Sequence, residues 1–244
     1  MQSKILDRLV LYDFIGIVFT GMCAISISFY LISWGILNIV DLSITFSLSN
    51  TITYIVASYI VGITLHESAL FFLKYNIYKN GKPSTLFLKR DIEGFEECDR
   101  ENLKTAMNIY AEEHGIPKIK FNEGNNSYQV YDCCKFFLRQ EGIYGTVEVI
   151  QSLYVLSRNL FVFVVFSAFL FPFAFLIVLR IFGYFNFINA LICEVLLILI
   201  IPVFYVRTKK FSDIVVSRTL KTFSTYIITR RKSHNINTQN GEGS

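Results

Sequence analysis

Four long apolar runs interrupt an otherwise polar chain, at 14–40, 52–73, 159–179 and 187–206. Together they span 90 residues and carry two charged side chains, Glu67 and Glu194; the other 154 residues hold the remaining 40 charges. A helix rises about 1.5 Å per residue and needs roughly 20 apolar residues to cross about 30 Å of hydrocarbon, so each run can span a bilayer. The third, from Asn159 to Leu179, is almost pure Phe, Val, Leu and Ala, whereas Ser, Thr, His66 and Glu67 dilute the second. The pattern predicts an all-α integral membrane protein with four transmembrane helices. A small, mainly helical cytoplasmic domain, 74–158, separates an N-terminal hairpin, 1–73, from a second hairpin, 159–206. A basic amphipathic helix and a disordered tail occupy 207–244. Lys4 and Arg8 precede the first run as in a signal peptide, but the run exceeds the roughly 7–15 residues of a signal core and is expected to stay attached.

Helical periodicity and breakers organise the 74–158 segment. Asn80-Gly81-Lys82-Pro83 reads as a turn. Asp99 is placed to cap a helix through Asn102 to His114 that Gly115 and Pro117 end, with Leu103, Ala106, Met107 and Tyr110 as its buried stripe. Residues 117–126 are turn-rich. A second helix is predicted over Tyr128–Gln140, ended by Gly142. A third begins near Tyr144 and meets no Pro or Gly between Gly145 and Pro172, so it should run on into the third apolar run as a mechanical link. In the tail, Val216, Leu220, Phe223 and Ile227 share one helical face and Arg218 and Lys221 the other, a helix suited to the anionic inner leaflet or to a docking partner.

Composition removes whole classes. Hydrophobic residues make up 53% and charged residues 17%, against about 25% charged in an ordinary soluble domain. A soluble, a disordered and a disulfide-scaffold protein are all excluded. Of the 23 Lys and Arg, 22 fall on one side of the predicted spans and only Arg180 on the other. Lys74, Lys79, Lys82, Lys89 and Arg158 lie close to span ends, so both termini and the central segment are expected in the cytoplasm of an inner-membrane protein. Trp34 and Tyr30 near one end of the first span, and Tyr12 near the other, suit interfacial anchors.

Candidate chemistry is sparse. Cys98, His114, Cys133 and Cys134 lack the CxxC spacing of a zinc site, and the remaining cysteines, Cys23 and Cys193, fall in spans; reduced thiols are expected, with no metal and no cofactor. The central segment carries 12 basic and 12 acidic residues with no basic cluster, so no nucleic-acid partner is expected. His66-Glu67 opens like a metalloprotease motif, but Leu70 stands where the second histidine would be, and no nucleophile–base pair is visible. An enzyme is not expected. Within the spans, Gly16, Thr20, Ala24 and Ser28 form a ridge of small residues that admits a close helix neighbour. Asn50, Tyr54, Ser58, Gly62 and His66 form a polar stripe at the same spacing. Either the two stripes pack within one bundle, or helices 1 and 2 of several copies surround a polar pathway. The third span, with seven Phe between 161 and 175 and Pro172, reads as lipid-facing by contrast. Glu194, at depth in the fourth span with Arg180 as a possible partner, is a candidate pathway residue.

The segment Ser152–Leu160 (SLYVLSRNL) and the two-plus-two helix layout resemble small bacterial membrane proteins of uncharacterised families. The layout is also similar to membrane effectors of antiviral defence operons. That resemblance implies a homo-oligomer that breaches the inner membrane when a cytosolic protein or small molecule signals; it carries over no functional residue. Two functions are therefore expected from the sequence: an oligomeric, signal-gated pore or membrane-disrupting effector, or a membrane anchor that recruits cytosolic proteins through its central segment and basic tail. A small transporter is the weakest of the alternatives, since no inverted repeat or broken helix pair is visible.

Overall fold

The structure, a computed structural model, describes residues 14–36, 48–76, 78, 81–88, 92–115, 127–182 and 187–241. Every regular element among them is helical. Helix α1 (Phe19–Tyr30) is flanked by π-helical Phe14–Val18 and Leu31–Ile36. It is followed by α2 (Leu48–Asn76), the short α3 (Pro83–Leu86), α4 (Glu97–His114), α5 (Ser127–Gln140), α6 (Gly145–Phe182) and α7 (Phe187–Gly241). Four stretches are long and apolar enough to cross a membrane: Phe14–Trp34, Asn50–Lys74, Gly145–Arg180 and Phe187–Ser233. The four-span reading of the sequence therefore matches four helices. Tyr12, Pro117 and the turn-rich 117–126 segment lie outside the described residues.

The chain divides into two compact units. Unit 1 comprises Met1–Lys79 and Gln151–Lys209; unit 2 comprises Asn80–Ile150 and Lys210–Ser244. In unit 1, α1 and α2 touch through their backbones. A Cβ on Gly21 would overlap the carbonyl oxygen of Ser58, and one on Gly62 would overlap that of Ile17. Such an approach needs a residue without a side chain on both helices. The core then closes with Ala24, Leu65, Phe163, Phe171, Cys193 and Leu197. The third span departs from the lipid-facing expectation. Phe161, Val162, Phe163 and Val164 are buried, while Phe169, Phe173, Leu176 and Ile177 are exposed, so α6 is central over one part of its length and peripheral over another. A uniform run of Phe carries no periodic signal to separate these faces.

Unit 2 is built on helices that start and stop for local reasons. Helix α4 begins two residues before Asp99, not at it: Glu96 is the N-cap, and Asp99 closes a capping box by accepting the Glu96 backbone N–H at 2.8 Å. Gly115 ends α4 in the left-handed conformation (φ 65°), and Gly142, just beyond α5, has φ 75°. The predicted stripe of Leu103, Ala106 and Met107 is buried, with Tyr110 packed against the same core.

The tail behaves differently from the expectation. Helix α7 runs unbroken through Pro202 to Gly241, so 235–241, within the stretch expected to be disordered, is helical; the last three residues lie outside the described ones. Once a helix is nucleated, adding a polar residue costs little, and no breaker lies between Arg207 and Asn240. Nor is the apolar face of the tail free to lie on lipid. Val216, Leu220, Phe223 and Ile227 are buried in the core of unit 2 beside Val130, Phe137 and Leu138. Phe223 meets Phe137 edge-on at 5.5 Å. Its basic residues find acids in the same unit: Lys221 reaches Asp99 at 2.8 Å, Lys210 reaches Glu93 at 2.8 Å and Arg231 reaches Glu112 at 3.1 Å. An amphipathic pattern marks a face to be covered; it does not say whether lipid or protein covers it.

Phe223→Ala should therefore destabilise unit 2 by about 3–5 kcal/mol, the usual cost of an emptied aromatic site. Arg218→Ala, on the exposed face of the same helix, should change little. Denaturant unfolding followed by far-UV circular dichroism reads both. Burial also pushes the Cys134 thiol and the Tyr131 and Tyr144 phenols up from their ordinary values. The folded unit keeps these protons, whereas an unfolded chain releases them from about pH 8.5 upward. Their contribution is complete below that pH and declines as pH rises, so the unfolding midpoint of unit 2 should fall between pH 8 and pH 10.

Candidate functional site

The small-residue ridge and the polar stripe both lie within unit 1, and most of their residues meet other parts of the chain itself. Gly16 faces α6, where a Cβ would meet Val155 at 3.0 Å. Its carbonyl, inside the π-helical turn, accepts from the Thr20 hydroxyl at 2.8 Å and from the Asn159 amide at 2.9 Å. Ala24 is buried in the core and Ser28 is half-buried. On α2, Tyr54 donates to the Met22 carbonyl at 3.0 Å and lies 2.8 Å from the Ser26 hydroxyl, which then supplies the other proton. Ser58 is fully buried, with its hydroxyl lacking a partner and its carbonyl against Gly21. Asn50, at the start of the stripe, is exposed.

At the far end of the stripe the structure assembles a polar cluster. Arg158 is 5% exposed although it sits where the sequence suggested a charge marking the entry to a span. Its Nη2 lies 3.0 Å from His66 Nδ1 and 3.4 Å from Nε2, and its Nε donates to Asn159 Oδ1 at 3.3 Å. Its guanidinium carbon is 5.7 Å from the centre of the Tyr154 ring. A ring nitrogen that accepts from arginine belongs to uncharged imidazole, so His66 serves here as an acceptor. Among the described residues these partners of Arg158 are all neutral. Ser157 and Thr208 pair at 3.2 Å and Tyr78 with Tyr154 at 3.1 Å. Glu67 is exposed and takes no part.

Glu194 stands apart from this cluster. It is half-buried, and its Oε2 is fully buried with no hydrogen-bond partner. Leaving a polar atom so costs about 1–3 kcal/mol. The expected pair with Arg180 is not made, and Arg180 is exposed. Glu194 lines a cavity of about 120 Å³ between α6 and α7, walled by Phe171, Pro172, Phe175, Phe187, Ala190 and Leu191. On unit 2, α5 borders a second cavity, of about 450 Å³, lined by Tyr128, Asp132, Lys135, Phe136 and Arg139 among others.

Sequence reasoning took Arg158 and Asn159 only as the edge of a span and missed their buried contacts, and it missed Gly21 altogether. Arg158-Asn159 stands at the same end of its span as His66-Glu67, and two polar pairs at one depth were a usable signal. Gly21 falls outside the four-residue register of the ridge and was passed over for that reason. Among the described residues no three His, Cys, Asp or Glu side chains gather as metal ligands would. Cys98 is exposed, whereas Cys134 is buried 3.9 Å from the Met107 sulfur. Comparison with protein-family models, curated proteins and solved structures finds no match to this chain.

The close approach of α1 and α2 can be tested directly. Gly21→Ala and Gly62→Ala should each lower the thermal stability of the protein in detergent, since overpacking costs about 1–3 kcal/mol and here the obstacle is backbone. Phe169→Leu, at a side chain 68% exposed, should leave the transition where it is. Equal transitions in all three variants would dismiss the backbone contact.

Proposed function

We propose that this chain is a multi-pass inner-membrane anchor that holds a helical docking unit at the cytoplasmic face. The observation that carries this reading is the internal use of the polar stripe. Tyr54, Gly62 and His66 meet groups of α1 and α6 in the same chain, so the residues that would line a shared pathway are engaged within one copy. The surface of unit 1 is rich in exposed apolar side chains, such as Ile52, Val56, Ile60, Phe71, Ile188, Leu199 and Val203, as lipid contact requires. The near-exclusive placement of Lys and Arg on one side supports a cytoplasmic unit 2. On α5, Tyr128 and Phe136 are 55% and 62% exposed beside Asp132 and Arg139, a mixture typical of surfaces that bind protein.

The rival, an oligomeric pore or membrane-disrupting effector, would need several copies to pool polar stripes whose Tyr54, Gly62 and His66 are already engaged within each copy. Proteoliposomes containing the purified chain should be no leakier to K⁺ and H⁺ than protein-free vesicles. Flux that scales with the amount of chain would overturn the anchor and restore the pore. Orientation is tested on a cysteine-free background in intact cells. An impermeant maleimide should label Asn50→Cys from outside, and Glu113→Cys and Ser233→Cys only after the membrane is opened. Labelling of Glu113→Cys in sealed cells would reverse the orientation.

A further inference from the structure

Helix α5 carries two patterns. Val130, Cys134, Phe137 and Leu138 close the core of unit 2. On the opposite side Tyr128, Asp132, Phe136 and Arg139 recur at spacings of four, four and three residues, which sets them within about 80° of one another around the helix. All four are exposed. The order of the two charges along this row selects what can cover it. Asp132 and Arg139 stand about 10 Å apart along the helix, too far to pair with each other. Among the described residues neither enters an ion pair. Arg139 lies over the Tyr144 ring at 5.1 Å, and a guanidinium can stack on a ring and bond a carboxylate at once. A second α5 laid antiparallel, with a two-fold axis beside Phe136, brings each Asp132 opposite the Arg139 of the other copy, both about 5 Å from the axis. The two Phe136 rings then meet at the axis. Each Tyr128 reaches the far end of the other helix, where Gly142 is exposed with open space in place of a side chain. A parallel pair would instead set Asp132 on Asp132 and Arg139 on Arg139.

We propose that the outer face of α5 is the contact between two copies of this chain, paired antiparallel about Phe136. The proposal rests on the reading of unit 2 as a docking unit and names its partner. One helix of 14 residues, about 21 Å long, makes a small interface, so the pairing is reversible. Two copies held in one bilayer meet at a raised effective concentration, which offsets the small contact. The two readings fail separately. A chain that conducts ions yet pairs through α5 would sink the anchor and keep the pairing, and a monomer that conducts nothing would do the reverse.

Sedimentation equilibrium of the purified full chain in density-matched detergent should show monomers and dimers in exchange. By symmetry each charge reversal acts twice, so Asp132→Arg alone and Arg139→Asp alone should each weaken the dimer about tenfold. The double reversal should restore it. Mixed one to one, the two single variants should pair with each other more tightly than either pairs with itself, since every facing pair in the mixture is again of opposite sign. That recovery also shows that both variants are folded. Phe136→Ala should weaken the dimer and leave the far-UV circular dichroism unchanged, because the ring is 62% exposed. A chain that is monomeric at every concentration would overturn the second copy as occupant and leave the face to an unrelated protein. A dimer indifferent to all three positions would place the contact elsewhere and overturn the face. Single reversals that weaken the dimer without recovery in the double variant or in the mixture would overturn the antiparallel pairing.

Discussion

Backbone contact between α1 and α2 governs unit 1. Where Gly21 meets Ser58 and Gly62 meets Ile17, neither helix can rotate without driving a side chain into a neighbouring carbonyl. In a bilayer there is little hydrophobic gain in bringing two helices together, because lipid tails are as apolar as leucine; close packing and polar contacts hold them instead. With the pair locked, the remaining small face of α1 is turned to α6. Gly16 then offers its carbonyl to Asn159, and Arg158, one residue earlier, is brought beside His66 of α2. The arginine is thus held by the same geometry that excludes side chains at the two glycines.

Unit 2 depends on residues far apart in sequence. The segment before α6 supplies Leu103, Met107, Val130, Phe137 and Leu138, and the end of α7 supplies Val216, Leu220, Phe223 and Ile227 to one core. A small segment buries a smaller share of its surface than a large one, and the tail enlarges the core of this one. The arrangement also accounts for the ion pairs of the tail. Lys221 and Arg231 sit opposite Asp99 and Glu112 because the apolar face beside them is already docked. Exposed pairs of this kind contribute little by themselves, at about 0–1 kcal/mol; they fit a register that packing has set.

Legibility from sequence followed the kind of signal. Span number, the start of α6 near Tyr144, the ends of α4 and α5 at Gly115 and Gly142, and the stripe Leu103-Ala106-Met107 were all readable, because each rests on local chain physics: hydropathy, positive φ and a 3.6-residue period. Partners of a face were not. The ridge Gly16-Thr20-Ala24 was seen as a contact surface, but two candidate neighbours, another chain or α6, present the same small-residue requirement. The tail was seen as amphipathic, yet lipid and a protein core ask for the same pattern, and the core took it. Buried Phe161 and exposed Phe169 carry the same side chain, so nothing local could sort them.

Arg158 and Glu194, both in unit 1, are treated in opposite ways. Arg158 is nearly covered, but His66, Asn159 and the Tyr154 ring surround its guanidinium, each placed by a helix that is itself fixed by packing. A buried cation so provided for is part of the fold, and removing one of its neighbours would leave it exposed to a medium that solvates it poorly. Glu194 lies at the edge of an apolar depression between α6 and α7, and its buried Oε2 has no hydrogen-bond partner. Had the carboxyl been kept for packing alone, the cavity would have been the place for a donor from α6, and that stretch supplies Phe171, Pro172 and Phe175, none of which has a side-chain donor. Proline lacks even the backbone N–H. This stretch of α6 therefore offers no side chain with which to satisfy the acid.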